Sequence, residues 1–316
     1  MPDLIVVSQH NSQMNWSSTM LQTMYAILGP RMLTMAYEDR DNKNQTIFEK
    51  LDMKAAKACA LGVVAAENHP TATVFFPDVQ SMNIMAFDNG NHRLIGYVHG
   101  GPYEEHDAYS SYPASYHRAF IAQLDCLDEI WVSTAYHRDL LYAAYGATYL
   151  DKISVVGIPV AEPSGIEPVP LEEKDGAIFV SRKSADKGYD VALEANKYTH
   201  IRMARFTSRS AYYTALAGAR VAAVPSRKET FGLVAAEAFL CGTLPAIPED
   251  LCYPELYGYD YPGRIRSLDA RGLARSVSLL AALDPEEYQG HVAVGAEVVR
   301  LAGKKFSQAV EGVLPK

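Results

Sequence analysis

The sequence predicts an α/β protein of two units, each built on a parallel β-sheet with helices on both faces. Three observations carry this. Short apolar runs alternate with amphipathic stretches as far as about residue 157. The alternation stops in a proline-rich segment and then starts again. The chain has 316 residues, more than a single compact core usually serves. Strands alternating with helical patterns give parallel sheets, because each crossover lays its helix on a sheet face.

Taken in order, residues 4–7, 32–36, 73–76, 94–98, 130–132 and 153–156 read as buried strands, being short, apolar and bounded by polar or turn residues. Amphipathic stretches at 17–28, 54–66, 115–127 and 136–145 lie between most of them and read as helices. Residues 158–175 hold four prolines and few periodic apolar positions, which marks a linker. The alternation restarts at 178–180 and continues through 191–197, 202–206, 211–217, 221–224 and 234–240 to 244–247; a last helix is expected over about 296–313. The expected division is therefore 1–157 as the first domain, 158–175 as linker, 176–300 as the second domain and 301–316 as a terminal helical segment.

Composition, 48% hydrophobic and 21% charged, is that of a folded soluble protein rather than a disordered one. The opening Met-Pro-Asp-Leu-Ile-Val-Val-Ser has no basic leader and its apolar run is short, so a cytoplasmic protein without a membrane span is expected. The cysteines at 59, 126, 241 and 252 are scattered, with no Cys-x-x-Cys pair, and suggest neither a zinc site nor a disulfide framework. Net charge is −8 and unevenly spread: residues 1–157 carry 10 Lys+Arg against 17 Asp+Glu, whereas 177–230 carry 10 against 4. The overall balance disfavours a nonspecific polyanion binder, and the basic segment is a local exception.

The most informative stretch is Glu229-Thr-Phe-Gly-Leu-Val-Ala-Ala-Glu237, which follows an apolar run ending in Pro225-Ser226. It reads as strand, loop and helix start, an arrangement that presents backbone amides to an anion. Glu229 falls in the loop and Glu237 about a turn and a half into the helix, so both carboxylates can reach a polyhydroxylated ligand. Upstream, Ile178-Phe-Val-Ser-Arg182 is followed by Asp186-Lys187-Gly188, another strand, arginine, loop and Lys-Gly. Two glutamates at this spacing occur by chance in many helices, but both patterns in this order are far more specific.

Together these segments resemble the donor signature of family-4 glycosyltransferases, which have the GT-B architecture of two Rossmann-like domains with a cleft between them. The resemblance is strong over 176–250 and topological elsewhere. It implies that Arg182 and Lys187 neutralise the diphosphate of a UDP- or GDP-sugar such as UDP-glucose, aided by amides at Gly232 and Leu233. Glu229 would hold the sugar and Glu237 the ribose. It further implies a metal-independent transfer with retained anomeric configuration, using the nucleotide-sugar as cosubstrate and no cofactor. It also implies a terminal helix that packs back on the first domain. Two departures are visible: the segment between Gly188 and the strand at 221 is shorter than in the family, and the Gly-Gly loop usual after the first strand is replaced by Ser8-Gln-His-Asn-Ser.

Other residues are candidates on position alone. His99 follows a buried run and precedes Gly100-Gly101, at the strand end where open α/β sheets bind ligands; it reads as a catalytic or loop-capping histidine. His10, Tyr103 and Tyr109 are acceptor-side candidates, the tyrosines belonging to a cluster with Tyr112 and Tyr116 that could stack a ring or form an amphipathic surface. Asp39-Arg-Asp41 matches the metal-binding Asp-x-Asp of the other major glycosyltransferase fold, but its polar surroundings read as a solvated loop. A hydroxyl acceptor of unspecified class is expected. The alternatives are a hydroxymethylated base in DNA or a modified RNA base, a non-catalytic nucleotide-sugar binding module, and an epimerase.

Overall fold

The chain divides after Pro159 and again after Ala302: unit one takes the stretch up to Pro159 and the chain from Gly303, and unit two takes Val160–Ala302. The computed structural model describes residues 2–8, 16–36, 47–79, 83–87, 91–106 and 114–313.

Unit one is a six-stranded parallel sheet of β1 (Leu4–Ser8), β2 (Met32–Ala36), β3 (Thr73–Phe76), β4 (Leu94–Tyr97), β5 (Glu129–Val132) and β6 (Ile153–Val155), in the order β2-β1-β3-β4-β5-β6. Leu4 aligns with Met32 on one side and Thr73 on the other, so β1 is interior. All five of its residues are buried, as a strand covered on both faces requires. The connections include α1 (Trp16–Leu28), α2 (Ile47–Asn68), α3 (Ala114–Cys126) and α4 (Ala135–Tyr145). Helix α4 begins where the Thr134 hydroxyl accepts from the His137 amide at 3.1 Å, a side-chain N-cap. Val7, Val74, Phe76, Ile130 and Phe120 fill one side of the sheet.

Unit two is a five-stranded parallel sheet of β7 (Asp175–Phe179), β8 (Ile201–Met203), β9 (Ala219–Ala223), β10 (Leu244–Pro248) and β11 (Arg264–Ile265), in the order β11-β10-β9-β7-β8. Its helices are α5 (Tyr189–Ala195), α6 (Arg209–Ala217), α7 (Leu233–Leu240), α8 (Tyr253–Tyr257) and α9 (Ala270–Ala282). Since β8 and β9 flank β7 on opposite sides, the strand order reverses between β7 and β9. That reversal opens a crevice at their carboxyl ends. Between Gly188 and β9 there is a single strand, β8, which accounts for the shortness of that segment. The prolines of 158–175 do not leave the segment bare: Leu171 and Lys174 are buried within unit two, and the Lys174 ammonium donates to the Ala217 carbonyl at 2.5 Å.

The last helix, α10 (Pro285–Gly312), is longer than the expected 296–313. Its start is set by Asp284, whose carboxylate accepts from the Glu287 amide at 2.9 Å, by Pro285 in the first turn and by Glu286 and Glu287 beside the positive helix end. Gly290 and Gly295 interrupt the apolar spacing there, which is why periodicity misses the first three turns. At its far end, inside unit one, Phe306 is fully buried and meets Trp131 edge-on at 5.9 Å and Tyr97 at 6.2 Å. All four cysteines are free thiols. Among the described residues no helix is long and apolar enough to cross a membrane.

Candidate functional site

The loops that leave β7 and β9 meet at the crevice of unit two, and a glycine lets them. Gly188 adopts φ 64°, ψ 32° and caps α5. A Cβ built on it would stand 1.8 Å from the Pro225 carbonyl oxygen, so only glycine allows this approach. The contact is fastened on both sides. The Arg227 amide donates to the Asp186 carbonyl at 2.8 Å, and the Arg227 guanidinium binds the Asp190 carboxylate bidentately, both bonds 2.7 Å.

This geometry carries Lys187 to Glu229: the ammonium donates to Oε1 at 2.8 Å and to the Lys228 carbonyl at 3.4 Å. Both side chains are mostly sheltered, at 20% and 12% exposure. Arg182 stands beside them with its guanidinium on Asp186 and Nε donating to Ser184 Oγ at 3.1 Å, yet it is 64% exposed and can turn to another anion. Burial pushes the Asp186 carboxyl up. Hydrogen bonds from Arg182 and Ser184, with the charges of Arg182 and Lys187, outweigh it and hold the group below the usual carboxylate range.

Gly232 opens α7 at φ 79°, ψ 60°. A Cβ there would fall 2.5 Å from the Tyr253 ring, so the loop rests directly on that tyrosine. Among the described residues no side chain caps this helix start, where the first-turn amides lack an intrahelical partner. Three buried hydroxyls nearby, Ser181 after β7, Ser226 after β9 and Tyr253 after β10, lack a hydrogen-bond partner among the described residues. Buried polar groups are usually paired, and these three gather at the carboxyl ends of adjacent strands, the end at which open α/β sheets bind ligands.

Glu237 is placed differently from Glu229. It is buried on α7, and α6 holds it: Oε1 accepts from Arg209 Nη2 at 2.9 Å and from the Tyr213 hydroxyl at 3.3 Å, and Oε2 accepts from the Tyr212 hydroxyl at 2.6 Å. Burial raises its carboxyl above the usual range against the hydrogen bond from Tyr212 and the Arg209 charge. Arg209 counted in the sequence only among the basic residues of 177–230, and Tyr212, Tyr213 and Tyr253, which lie beside these groups, went unremarked there. So did Leu251, which holds φ 61° in the loop after β10, a conformation that costs a branched side chain energy.

The candidates of unit one lie in a separate unit. His99 follows β4; its Nε2 lies 3.0 Å from the Pro77 carbonyl, which only accepts, so that nitrogen carries the proton. Its ring lies 4.5 Å from that of Tyr97. Tyr103 turns inward. Its ring packs on Phe120 and Tyr145, and its hydroxyl meets His137 Nε2 at 2.6 Å, so burial raises the phenol well above its usual range. His10, Tyr109 and the Asp39-Arg-Asp41 motif lie outside the described residues. Among the described residues no three His, Cys, Asp or Glu side chains are grouped to hold a metal ion.

No protein-family model and no curated protein sequence matches the chain. Solved structures do. A sucrose-phosphate synthase from Thermosynechococcus elongatus is similar with a TM-score of 0.73 at 16% identity, over 99% of this chain and 98% of that one. Anabaena HepE, solved in complex with UDP and glucose, is similar with a TM-score of 0.71 at 13% identity, over 99% and 98%. The lipopolysaccharide outer core galactosyltransferase WaaB is similar with a TM-score of 0.63 at 13% identity, over 98% and 99%. With two parallel sheets, a reversal of strand order and end-to-end similarity to these enzymes, the chain has the GT-B glycosyltransferase fold.

Proposed function

We propose that this protein is a retaining, metal-independent glycosyltransferase that moves a sugar from a nucleoside-diphosphate-sugar to a hydroxyl acceptor. The observation that carries the reading is the Lys187–Glu229 pair at 2.8 Å at the crevice of unit two, with Arg182 exposed beside it. A diphosphate needs two cations, and a sugar needs a carboxylate next to them; this loop contact supplies both. HepE has been solved with UDP-glucose and a trehalose-6-phosphate enzyme of Escherichia coli with UDP-2-fluoro glucose, so a UDP-sugar is the first donor to try.

In this mechanism Arg182, Lys187 and the amides at Gly232 and Leu233 bind the diphosphate and stabilise the negative charge that grows on it as the bond to the sugar breaks. Glu229 holds the sugar hydroxyls and Glu237 the ribose. The acceptor oxygen forms the new bond to the anomeric carbon on the face from which the diphosphate departs. Its proton passes to the leaving phosphate oxygen, so no protein nucleophile is consumed. The paired state of the basic residues in unit two favours a small acceptor over a nucleic-acid base, because Arg209 and Arg227 are already engaged by Glu237 and Asp190.

The test is transfer from UDP-glucose and GDP-sugars to a panel of hydroxyl acceptors in excess EDTA, with the anomeric configuration of the product read by NMR. Activity should survive chelation and give the retained anomer. Arg182→Ala and Lys187→Ala should each raise the donor KM roughly ten- to hundredfold, equivalent to losing a charge-assisted contact of about 1.5–3 kcal/mol. Saturable UDP binding without transfer to any acceptor would make the protein a binding module. Inverted product, or activity rescued by manganese after chelation, would overturn the mechanism.

A further inference from the structure

Unit two has a cavity that none of the donor residues lines. Its volume is about 450 Å³, and it lies between β11 with the loop that follows and the first turns of α9. Arg264, on β11, and Arg266, just after it, line one wall. Arg271 and Arg275 line the other, four apart and hence on one helix face.

The carboxylates of the lining do not neutralise these four cations. Asp269 is occupied as the N-cap of α9, with Oδ1 accepting from the Gly272 amide at 2.8 Å and Oδ2 from Ser267 Oγ at 2.5 Å. Asp260 is the other lining carboxylate. Among the described residues none of the four guanidiniums forms an ion pair. Arg264 Nε reaches the Tyr261 carbonyl at 3.3 Å; the Arg264 and Arg271 groups lie over the Tyr259 and Tyr198 rings, 5.9 and 5.7 Å from the centroids. These contacts orient Arg264 and Arg271, and the Asp269 charge acts on Arg271, which leaves the lining with more cations than carboxylates.

We propose that this cavity is a site for a phosphorylated small molecule, a phosphate monoester of about hexose size. The lining carries a formal charge of +2, four arginines against two aspartates, which matches a monoester carrying about −1.5 to −2 at neutral pH. Planar guanidinium forks approaching from two walls suit the three oxygens of a phosphate better than a single carboxylate. The volume is within the usual range for small ligands of roughly 300–1,000 Å³, and Leu279 with the Tyr261 ring offers apolar surface to a carbon skeleton. A concave site favours such a molecule over a flat polyanionic surface. The cavity shares no residue with the donor site.

The experiment is calorimetric titration of the full chain at low salt with glucose 6-phosphate and inorganic phosphate, against sodium chloride at matched ionic strength. The variants are Arg266→Ala/Arg275→Ala, both exposed positions, and Arg182→Ala/Lys187→Ala, each checked for unchanged melting temperature. Glucose 6-phosphate should bind saturably, more tightly than inorganic phosphate. Binding should weaken at least tenfold in Arg266→Ala/Arg275→Ala and hold in Arg182→Ala/Lys187→Ala. Loss in the second variant instead would place the signal at the donor site and sink the proposal. So would unchanged binding in the first, or a response no larger than that to chloride. Capture by vesicles containing phosphoinositides through the same arginines, with no affinity for glucose 6-phosphate, would overturn the small-molecule assignment.

Discussion

Glu229 and Glu237 look equivalent as letters and differ in what holds them. Glu229 has one cationic partner, Lys187, whereas Glu237 has three donors and is buried. Glu229→Gln is therefore expected to cut turnover while leaving stability nearly unchanged. Glu237→Ala should destabilise the protein by about 3–5 kcal/mol, since it strands the Arg209 charge beside two buried phenols. Urea denaturation together with donor kinetics separates the two, and equal effects on stability would show that the clamp from α6 is unimportant. A second residue-scale prediction concerns His137, which burial lowers to about 3. The unfolded ring titrates near 6.5, so between about pH 6.5 and 3 the unfolded state binds the extra proton. Its contribution to stability is complete above 6.5 and is lost as pH falls through that window. His137→Gln should flatten the slope of unfolding free energy between pH 6.5 and 4 by up to about 1.4 kcal/mol per pH unit. A variant with the same slope as the parent would mean that the ring titrates normally.

At the scale of elements, the site depends on two loops touching through Gly188. Gly188→Ala must both hold a left-handed conformation, at about 1–2 kcal/mol, and push the Pro225 carbonyl away. It should lower the melting temperature and raise the donor KM together, because parting the loops pulls Lys187 from Glu229. Gly165→Ala is the control: φ there is 71° with nothing within 4 Å of the added Cβ, so strain alone should appear and donor use should hold. If both variants behave alike, the loop contact does not organise the site. These loops were legible in the sequence because Arg182-x4-Lys187-Gly188 and Pro225-Ser226 to Glu237 each follow an apolar run, and the strands were legible for the same reason. What was not legible came from elsewhere in the chain. The donors on Glu237 lie 24–28 residues upstream, and no local pattern couples them to it. The start of α10 was written as Asp284-Pro285-Glu286-Glu287, a capping signal that the broken apolar spacing concealed. Arg264 and Arg266, like Arg271 and Arg275, are ordinary surface pairs until the fold sets them around one cavity.

At the scale of the whole molecule, charge decides which acceptor fits. The chain is net −8, and its long basic stretch, residues 177–230, holds ten Lys and Arg. The structure shows that this is not a free basic track: Arg182 pairs with Asp186, Lys187 with Glu229, Arg209 with Glu237 and Arg227 with Asp190. A phosphate backbone laid along it would have to displace those carboxylates, and residues 1–157 add seven more negative charges than positive. A protein that neutralises six to ten phosphates loses about 10³–10⁵ in affinity between 50 and 200 mM salt. Transfer to a small neutral acceptor should instead change by less than about twofold over that range, because few counterions are released when it binds. The measurement is sugar transfer from labelled donor to a small-molecule panel and to hydroxymethylated duplex DNA at both salt concentrations. The expected result is salt-tolerant transfer to the small acceptor and none to DNA. Transfer to DNA that collapses at 200 mM salt would mean that the remaining cations, Lys183, Arg202 and Arg205 among them, suffice to hold a nucleic acid, and the acceptor would have to be reassigned.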